Sequence, residues 1–223
     1  MVFNIDEFHL FMIETKTIRF HEQPVEVCPG RKSYWNVDWD FVLGDVSRME
    51  RLTDFLFDFV RVHSLEPETF YGVPDNATRL ALIAQYRWAS MLPHYTNGSH
   101  ALAMGRSSAD GREKFLTPPR GRTIVLDDVA VTGDSLLREV SEIDMKDGDI
   151  DAAICLTDAN LRRADGFCVE DIIPRYAGYF AMSNALELLP ALYRVRRPSD
   201  AVARAVEEEF EQYGTDRLVL RRV

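Results

Sequence analysis

Residues 122 to 137, Arg-Thr-Ile-Val-Leu-Asp-Asp-Val-Ala-Val-Thr-Gly-Asp-Ser-Leu-Leu, run an apolar stretch into two adjacent carboxylates and then into a turn of small residues. Thr123 to Leu126 predict a buried strand, so Asp127 and Asp128 leave its carboxyl end on a rigid support. Val131, Thr132, Gly133, Asp134 and Ser135 then bring together successive backbone N–H groups, a glycine free to turn, two hydroxyls and the start of a helix. Such a turn suits a phosphate, and paired carboxylates suit vicinal hydroxyls or a carbon that becomes positive. Asp134 fits a phosphate site poorly and is expected to point outward, where it favours the helix dipole. A bare acid pair followed by a glycine turn would do no more than end a strand. The whole ordered set is far more specific, and it points to a sugar phosphate.

Outward from this stretch, the chain alternates strand and helix. Apolar residues at helical spacing predict helices over 5 to 14 and 48 to 62, with short β-like pieces at 17 to 20, 24 to 28 and 34 to 38 between them. A strand ends at Phe70 to Pro74. Asn76 reads as the N-cap of a helix over 77 to 92 that Pro93 stops. Strands follow at 101 to 104, 122 to 126, 150 to 156 and 179 to 182. Helices are expected at 135 to 145, 184 to 191 and 199 to 213, with a last edge strand at 218 to 220. This order predicts an α/β fold: a central, mainly parallel sheet flanked by helices, with ligands outside the carboxyl ends of its strands. One domain over 1–223 is expected, with about 1–45 as a small N-terminal hood and about 46–223 as the α/β core.

Composition narrows the classes of function. Of 223 residues, 46% are hydrophobic and 28% charged, which is ordinary for a globular protein. The formal net charge of -10 argues against nucleic acid or an anionic membrane as the main partner, since both call for a broad basic surface. No apolar run approaches the roughly 20 residues of a membrane span, and the first residues lack a signal-peptide pattern, so a cytoplasmic protein is expected. Cys28, Cys155 and Cys168 are widely spaced without a CxxC, and the five histidines form no ligand cluster. They are read as reduced packing residues, and no structural metal site is expected.

A P-loop is excluded by the missing GK[ST], and a dinucleotide site by the missing GxGxxG after the first core strand. The opening set, four apolar residues, two acids, two small apolar residues, then Val-Thr-Gly-Asp-Ser and a helix, resembles the PRPP-binding signature of the type I phosphoribosyltransferases. Other segments fall in the order of the orotate phosphoribosyltransferases. Pro29-Gly-Arg-Lys-Ser-Tyr-Trp-Asn-Val-Asp38 resembles that group's SGRxS with a following aromatic-rich segment. Gly72-Val-Pro-Asp-Asn-Ala-Thr-Arg-Leu-Ala81 is similar to its diphosphate turn, and residues 105 to 121 occupy the place of its mobile loop.

The resemblance implies a type I phosphoribosyltransferase (Rossmann-like) fold with an N-terminal hood. It implies transfer of a phosphoribosyl group from PRPP to a nucleobase, with orotate favoured, giving orotidine 5'-phosphate and pyrophosphate, with Mg2+ held mainly through PRPP and no direct protein ligand. A homodimer comes with it. Asp127, Asp128, Arg106, Lys114 and Arg112 are then the catalytic candidates. Val131, Thr132, Gly133, Asp134, Ser135, Val73 and Pro74 would hold PRPP, and Arg31, Lys32, Tyr34, Trp35 and Arg162 would face the base. Tyr34 and Trp35 read equally as stacking platforms or as core residues. The chain departs from the pattern at Cys28, Ala77, Ser107, Asp110 and Ala159, where the group has a lysine, a glycine, two lysines and an arginine. The segment 106 to 122 nonetheless carries a net charge of plus three within an acidic protein. Two other readings of the same residues stay open: a PRPP-binding regulatory or catalytically weakened protein, and a transferase for another base.

Overall fold

The computed structural model describes residues 2–28, 30–92, 100–106 and 115–221. A helix α1 (Ile5–Glu14) leads into the hairpin β1 (Ile18–Cys28) and β2 (Arg31–Val37). Next come α2 (Asp40–Leu43), α3 (Val46–Val62), β3 (Thr69–Gly72) and α4 (Asn76–Ser90). A small hairpin, β4 (Met104–Gly105) and β5 (Phe115–Thr117), precedes β6 (Thr123–Ala130) and α5 (Asp134–Asp144). The chain closes with β7 (Ile150–Asp158), α6 (Val169–Ile172), β8 (Gly178–Ala181), α7 (Ala185–Arg196) and α8 (Asp200–Tyr213).

The opening stretch becomes the inner strand β6 of a parallel four-stranded sheet ordered β3-β6-β7-β8. Ile124, Val125 and Leu126 are fully buried because helices cover both faces. Neighbours on β3 show the two faces. Phe70 packs on Phe57 of α3 and Trp88 of α4, whereas Tyr71 turns the other way and donates its hydroxyl to Glu139 of α5 at 2.8 Å. The free edge of β3 is satisfied by a side chain: Gln85 of α4 accepts from the Phe70 amide at 2.7 Å and donates to the Glu68 carbonyl at 3.0 Å.

The hood is the hairpin β1–β2, whose register is broken between Phe20 and Val25, where Pro24 cannot donate to a ladder. The separate pieces expected at 17 to 20 and 24 to 28 are thus one bulged strand. Helix α8 secures this hairpin. Phe210 stacks on Trp35 with ring centroids 6.0 Å apart, and Glu209 accepts from Ser33 Oγ at 2.5 Å and Trp35 Nε1 at 3.2 Å. The last helix therefore supports the hood from the C-terminal side.

Several expected elements differ. Both β6 and β7 run further than predicted, to Ala130 and Asp158, because the ladder between them continues through polar residues. The piece expected at 101 to 104 is only Met104–Gly105, paired antiparallel with β5 outside the main sheet. Helix α7 continues past Pro190 to Arg196, since burial of Leu188, Leu189 and Leu192 outweighs one lost backbone bond. No strand forms at 218 to 220. Leu218 and Leu220 are buried, and the Leu220 amide and Arg221 guanidinium bind the Glu207 carboxylate instead. Asp75, not Asn76, is the N-cap of α4, and it makes no side-chain cap bond. Pro93 lies outside the described residues.

Candidate functional site

Because β6 continues to Ala130, Asp127 and Asp128 stand inside a strand, where successive side chains leave opposite faces. Asp127 goes to the α5 face and is buried, with its Oδ1 accepting from the Asp128 amide at 3.0 Å. Burial, and then the charge of Asp128, hold its carboxyl well above the usual range. Asp128 takes the other face. Its Oδ2 accepts from Asn76 Nδ2 at 3.1 Å and its Oδ1 from the Val129 amide at 3.0 Å. Burial raises its carboxyl as well, against the lowering effect of Asn76. The two acids expected to act as a pair are therefore divided between a buried position and a cavity wall. Asn76 was read as a helix cap; as the first residue of α4 its amide is instead free to hold Asp128.

The turn beyond them is built for close approach. Gly133 has φ +72°, and a Cβ there would stand 2.8 Å from Val169 Cγ2. No side chain caps the α5 N-terminus that follows. Thr132 Oγ1 donates to Asp134 Oδ2 at 2.7 Å, and the Asp134 carboxylate, more than half exposed, also pairs with Arg163 Nη1. A cleft of about 810 Å³ opens at this point, lined by Thr132, Asp134 and Ser135 on one side and by Cys28, Gly30, Arg31 and Lys32 of the hood on another. Arg138 and Arg163 complete a basic wall there. Arg138 stands one turn after Ser135 on α5, a spacing that places both on one helix face and was legible in the sequence. Arg163 also faces this cleft, with Nε 3.1 Å from Asp165 Oδ2.

Across β6 from the cleft lies a second space, a cavity of about 290 Å³. Val27, Trp35, Val37, Trp39, Val129, Val131 and Leu161 supply apolar walls, and Ala159 adds a methyl group from the loop after β7. Its polar lining is Glu26, Ser33, Asn36, Asp38, Asn76, Asp128 and Glu209. Nothing in the linear order announced Glu209, which reaches the cavity from α8, 174 residues beyond Trp35.

The residues expected to face a base are distributed otherwise. Arg31 and Lys32 line the basic cleft. Arg31 lies over the Tyr213 ring, 4.4 Å from its centroid, and donates to the Arg162 carbonyl at 2.9 Å. Tyr34 is half-buried against the core, and Trp35 is buried at 3% exposure, a packing residue whose edge also walls the cavity. The Arg162 guanidinium turns away, to the carbonyls of Gly166 at 3.0 Å and Thr215 at 3.4 Å. In the turn after β3, Val73 is buried and its amide binds the Leu126 carbonyl at 2.8 Å; the Pro74-Asp75 peptide is cis. Gly72 is indispensable there, since a Cβ would lie 2.2 Å from the Ala77 carbonyl oxygen. Arg106 is exposed after β4 and lines neither space. Arg112 and Lys114 lie outside the described residues, as do Pro29, Ser107 and Asp110.

Among the described residues no group of three or more His, Cys, Asp or Glu is arranged to hold a metal ion, and no helix is long and apolar enough to cross a membrane.

No family model and no curated protein matches the sequence. Solved structures do match the fold. An orotate phosphoribosyltransferase from Francisella tularensis superposes with a TM-score of 0.68 at 14% identity, over 93% of this chain and 99% of that one. The orotate phosphoribosyltransferase of Aeropyrum pernix gives 0.65 at 19% identity, over 83% and 97%. An adenine phosphoribosyltransferase from Thermoanaerobacter pseudethanolicus gives 0.53 at 13% identity, over 81% and 99%. With a parallel β3-β6-β7-β8 sheet between helices and an N-terminal hairpin above its carboxyl end, this chain has the phosphoribosyltransferase fold.

Proposed function

We propose that the protein transfers a phosphoribosyl group from PRPP to a nucleobase. One observation supports this most directly: the uncapped, positively lined turn after β6 and the Asp128 cavity adjoin at the same strand end. A sugar phosphate laid across that end would put its phosphate on the amides of residues 131 to 135, with Arg138, Arg163 and Lys32 around it. Its ribose would then lie beside Asp128, and a flat base would occupy the cavity.

In this reaction the ring nitrogen of the base forms a bond to the anomeric carbon as the carbon–oxygen bond to diphosphate breaks. Diphosphate leaves with the bonding pair, and a proton on the attacking nitrogen passes to it. Positive charge develops on the ribose between these events, and the Asp128 carboxylate is placed to stabilise it. The Asn76 amide keeps that carboxylate oriented and favours its ionised form. A divalent ion would come with the diphosphate and supply charge neutralisation there, and Asp128 is a carboxylate that could help hold it. Val73 and Pro74 form the turn beside which the diphosphate would lie. A homodimer, tested by sedimentation, and Mg2+ dependence are parts of the same proposal.

The test is calorimetric binding of PRPP with Mg2+, followed by diphosphate release with a panel of bases. Asp128→Asn and Thr132→Ala are each expected to weaken PRPP binding by roughly 10-fold or more, the worth of one hydrogen bond to a charged group. Unchanged affinity in both variants would remove the basis of the proposal.

A further inference from the structure

We propose that the acceptor is an uncharged heterocycle presenting N–H groups, and that the cavity beside Asp128 selects against anionic bases such as orotate. This rests on the phosphoribosyl-transfer reading above and extends it to the second substrate.

The size of the space comes first. At about 290 Å³ it lies at the lower bound of small-molecule pockets, roughly 300 Å³, which fits one flat base between apolar walls. Val27, Val37, Val129 and Val131 provide those walls.

Charge decides the rest. Among the described residues, every ionisable group that lines the cavity is an acid: Glu26, Asp38, Asp128 and Glu209. Among the described residues no lysine, arginine or histidine lines it. Asp38 is engaged by Arg19 at 2.6 Å, and Glu26 accepts from the Gly30 amide at 3.1 Å. Asp128 and Glu209 have no cation bonded to them among the hydrogen bonds described. Of the arginines nearby, Arg162 is committed to two backbone carbonyls, and Arg31 lies over the Tyr213 ring and lines the basic cleft, its charge partly offsetting that of Glu209 and its buried Nη1 without a hydrogen-bond partner among the described residues.

Glu209 makes the preference specific. One oxygen, Oε2, accepts from both Ser33 and Trp35, while Oε1 is buried and has no hydrogen-bond partner among the described residues. A buried acceptor without a donor is unfavourable, and an N–H edge of a base relieves it. A carboxylate-bearing base brings another acceptor and another negative charge to the same wall. Ser33, Asn36 and Asn76 add short polar groups that bond amino and carbonyl edges without charge.

The experiment measures kcat/KM from diphosphate release by the full chain with orotate, uracil, cytosine, adenine and guanine, alongside PRPP affinity by calorimetry. The expected result is turnover of an uncharged base with orotate at least 100-fold poorer. Glu209→Gln is expected to reduce kcat/KM for the preferred base about 10-fold through KM while narrowing the gap to orotate, with PRPP affinity unchanged. Preference for orotate with normal PRPP binding would overturn this inference and leave phosphoribosyl transfer standing. An equal ratio of uncharged base to orotate before and after Glu209→Gln would also overturn it. Failure to bind PRPP at all would overturn both.

Discussion

Two glycines and one aspartate show how single residues shape this site. Gly133 adopts φ +72° against Val169, so Gly133→Ala is expected to cost about 2 kcal/mol, the sum of left-handed strain and a close contact. At Gly72 the obstacle is the Ala77 backbone carbonyl, which cannot move without displacing the start of α4. Gly72→Ala should therefore destabilise more, and urea titration of the two variants will rank them. Asp158 offers a pH test. It is 2% exposed, and burial raises its carboxyl to about 6, against bonds from Tyr179 Oη at 2.9 Å and the Asn160 amide at 2.7 Å. A carboxyl raised on folding holds its proton more tightly in the native state. The stability it contributes is therefore complete below the ordinary value of 3.8 and is lost as pH rises through about 6. Asp158→Asn is expected to remove this loss. Between pH 4 and 7 the stability difference between wild type and variant should change by up to about 3 kcal/mol, at roughly 1.4 kcal/mol per unit. Asp127 adds a loss of the same sign that this variant leaves in place. A parallel pair of urea-derived stability curves would refute the assignment to Asp158.

At the scale of elements, the hood hairpin and α8 form one unit. Trp35 stacks on Phe210 and donates to Glu209, while Ser33 donates to the same carboxylate. Trp35→Ala removes a buried aromatic and one donor together, and a loss of about 3 to 5 kcal/mol is expected. Amide exchange should then rise in β1 and β2 well before it rises in β6 or β7, because Trp35 and Phe210 tie the hairpin to α8 whereas β6 and β7 are inner strands paired on both sides. Uniform acceleration across all four strands would show that the hood is not a separable unit. The helical and strand elements were largely legible in the sequence. Residues 5 to 14, 70 to 72, 123 to 126, 150 to 156 and 200 to 213 all fall in elements of the expected type. Misses came where pairing partners decide: Leu218 and Leu220 have strand-like spacing but no strand beside them, and Met104 pairs only within a local hairpin. Propensity is local, while a ladder needs a neighbour.

Over the whole molecule, a chain with a net charge of -10 gathers Arg31, Lys32, Arg138 and Arg163 at one cleft. Binding of a polyanion there is expected to weaken as salt rises from 50 to 500 mM, since the local field is screened within about 10 Å at 0.1 M. Arg138→Ala is expected to lower PRPP affinity about 10-fold at low salt and less at high salt, by calorimetry at the two ionic strengths. An effect independent of salt would show that Arg138 acts through packing rather than charge.

The sequence by itself determined β6, the glycine turn and α5, because an apolar run, a residue free to turn and an amphipathic helix are adjacent in the chain and interact locally. The tertiary structure decided which of two neighbouring acids meets the cavity. It also placed Arg31 and Lys32 beside the glycine turn at the start of α5, outside the cavity next to Asp128, and brought Glu209 across from α8. Those outcomes depend on strand pleat, on how far a ladder extends and on the docking of distant segments, and each is set by contacts between residues far apart in the chain.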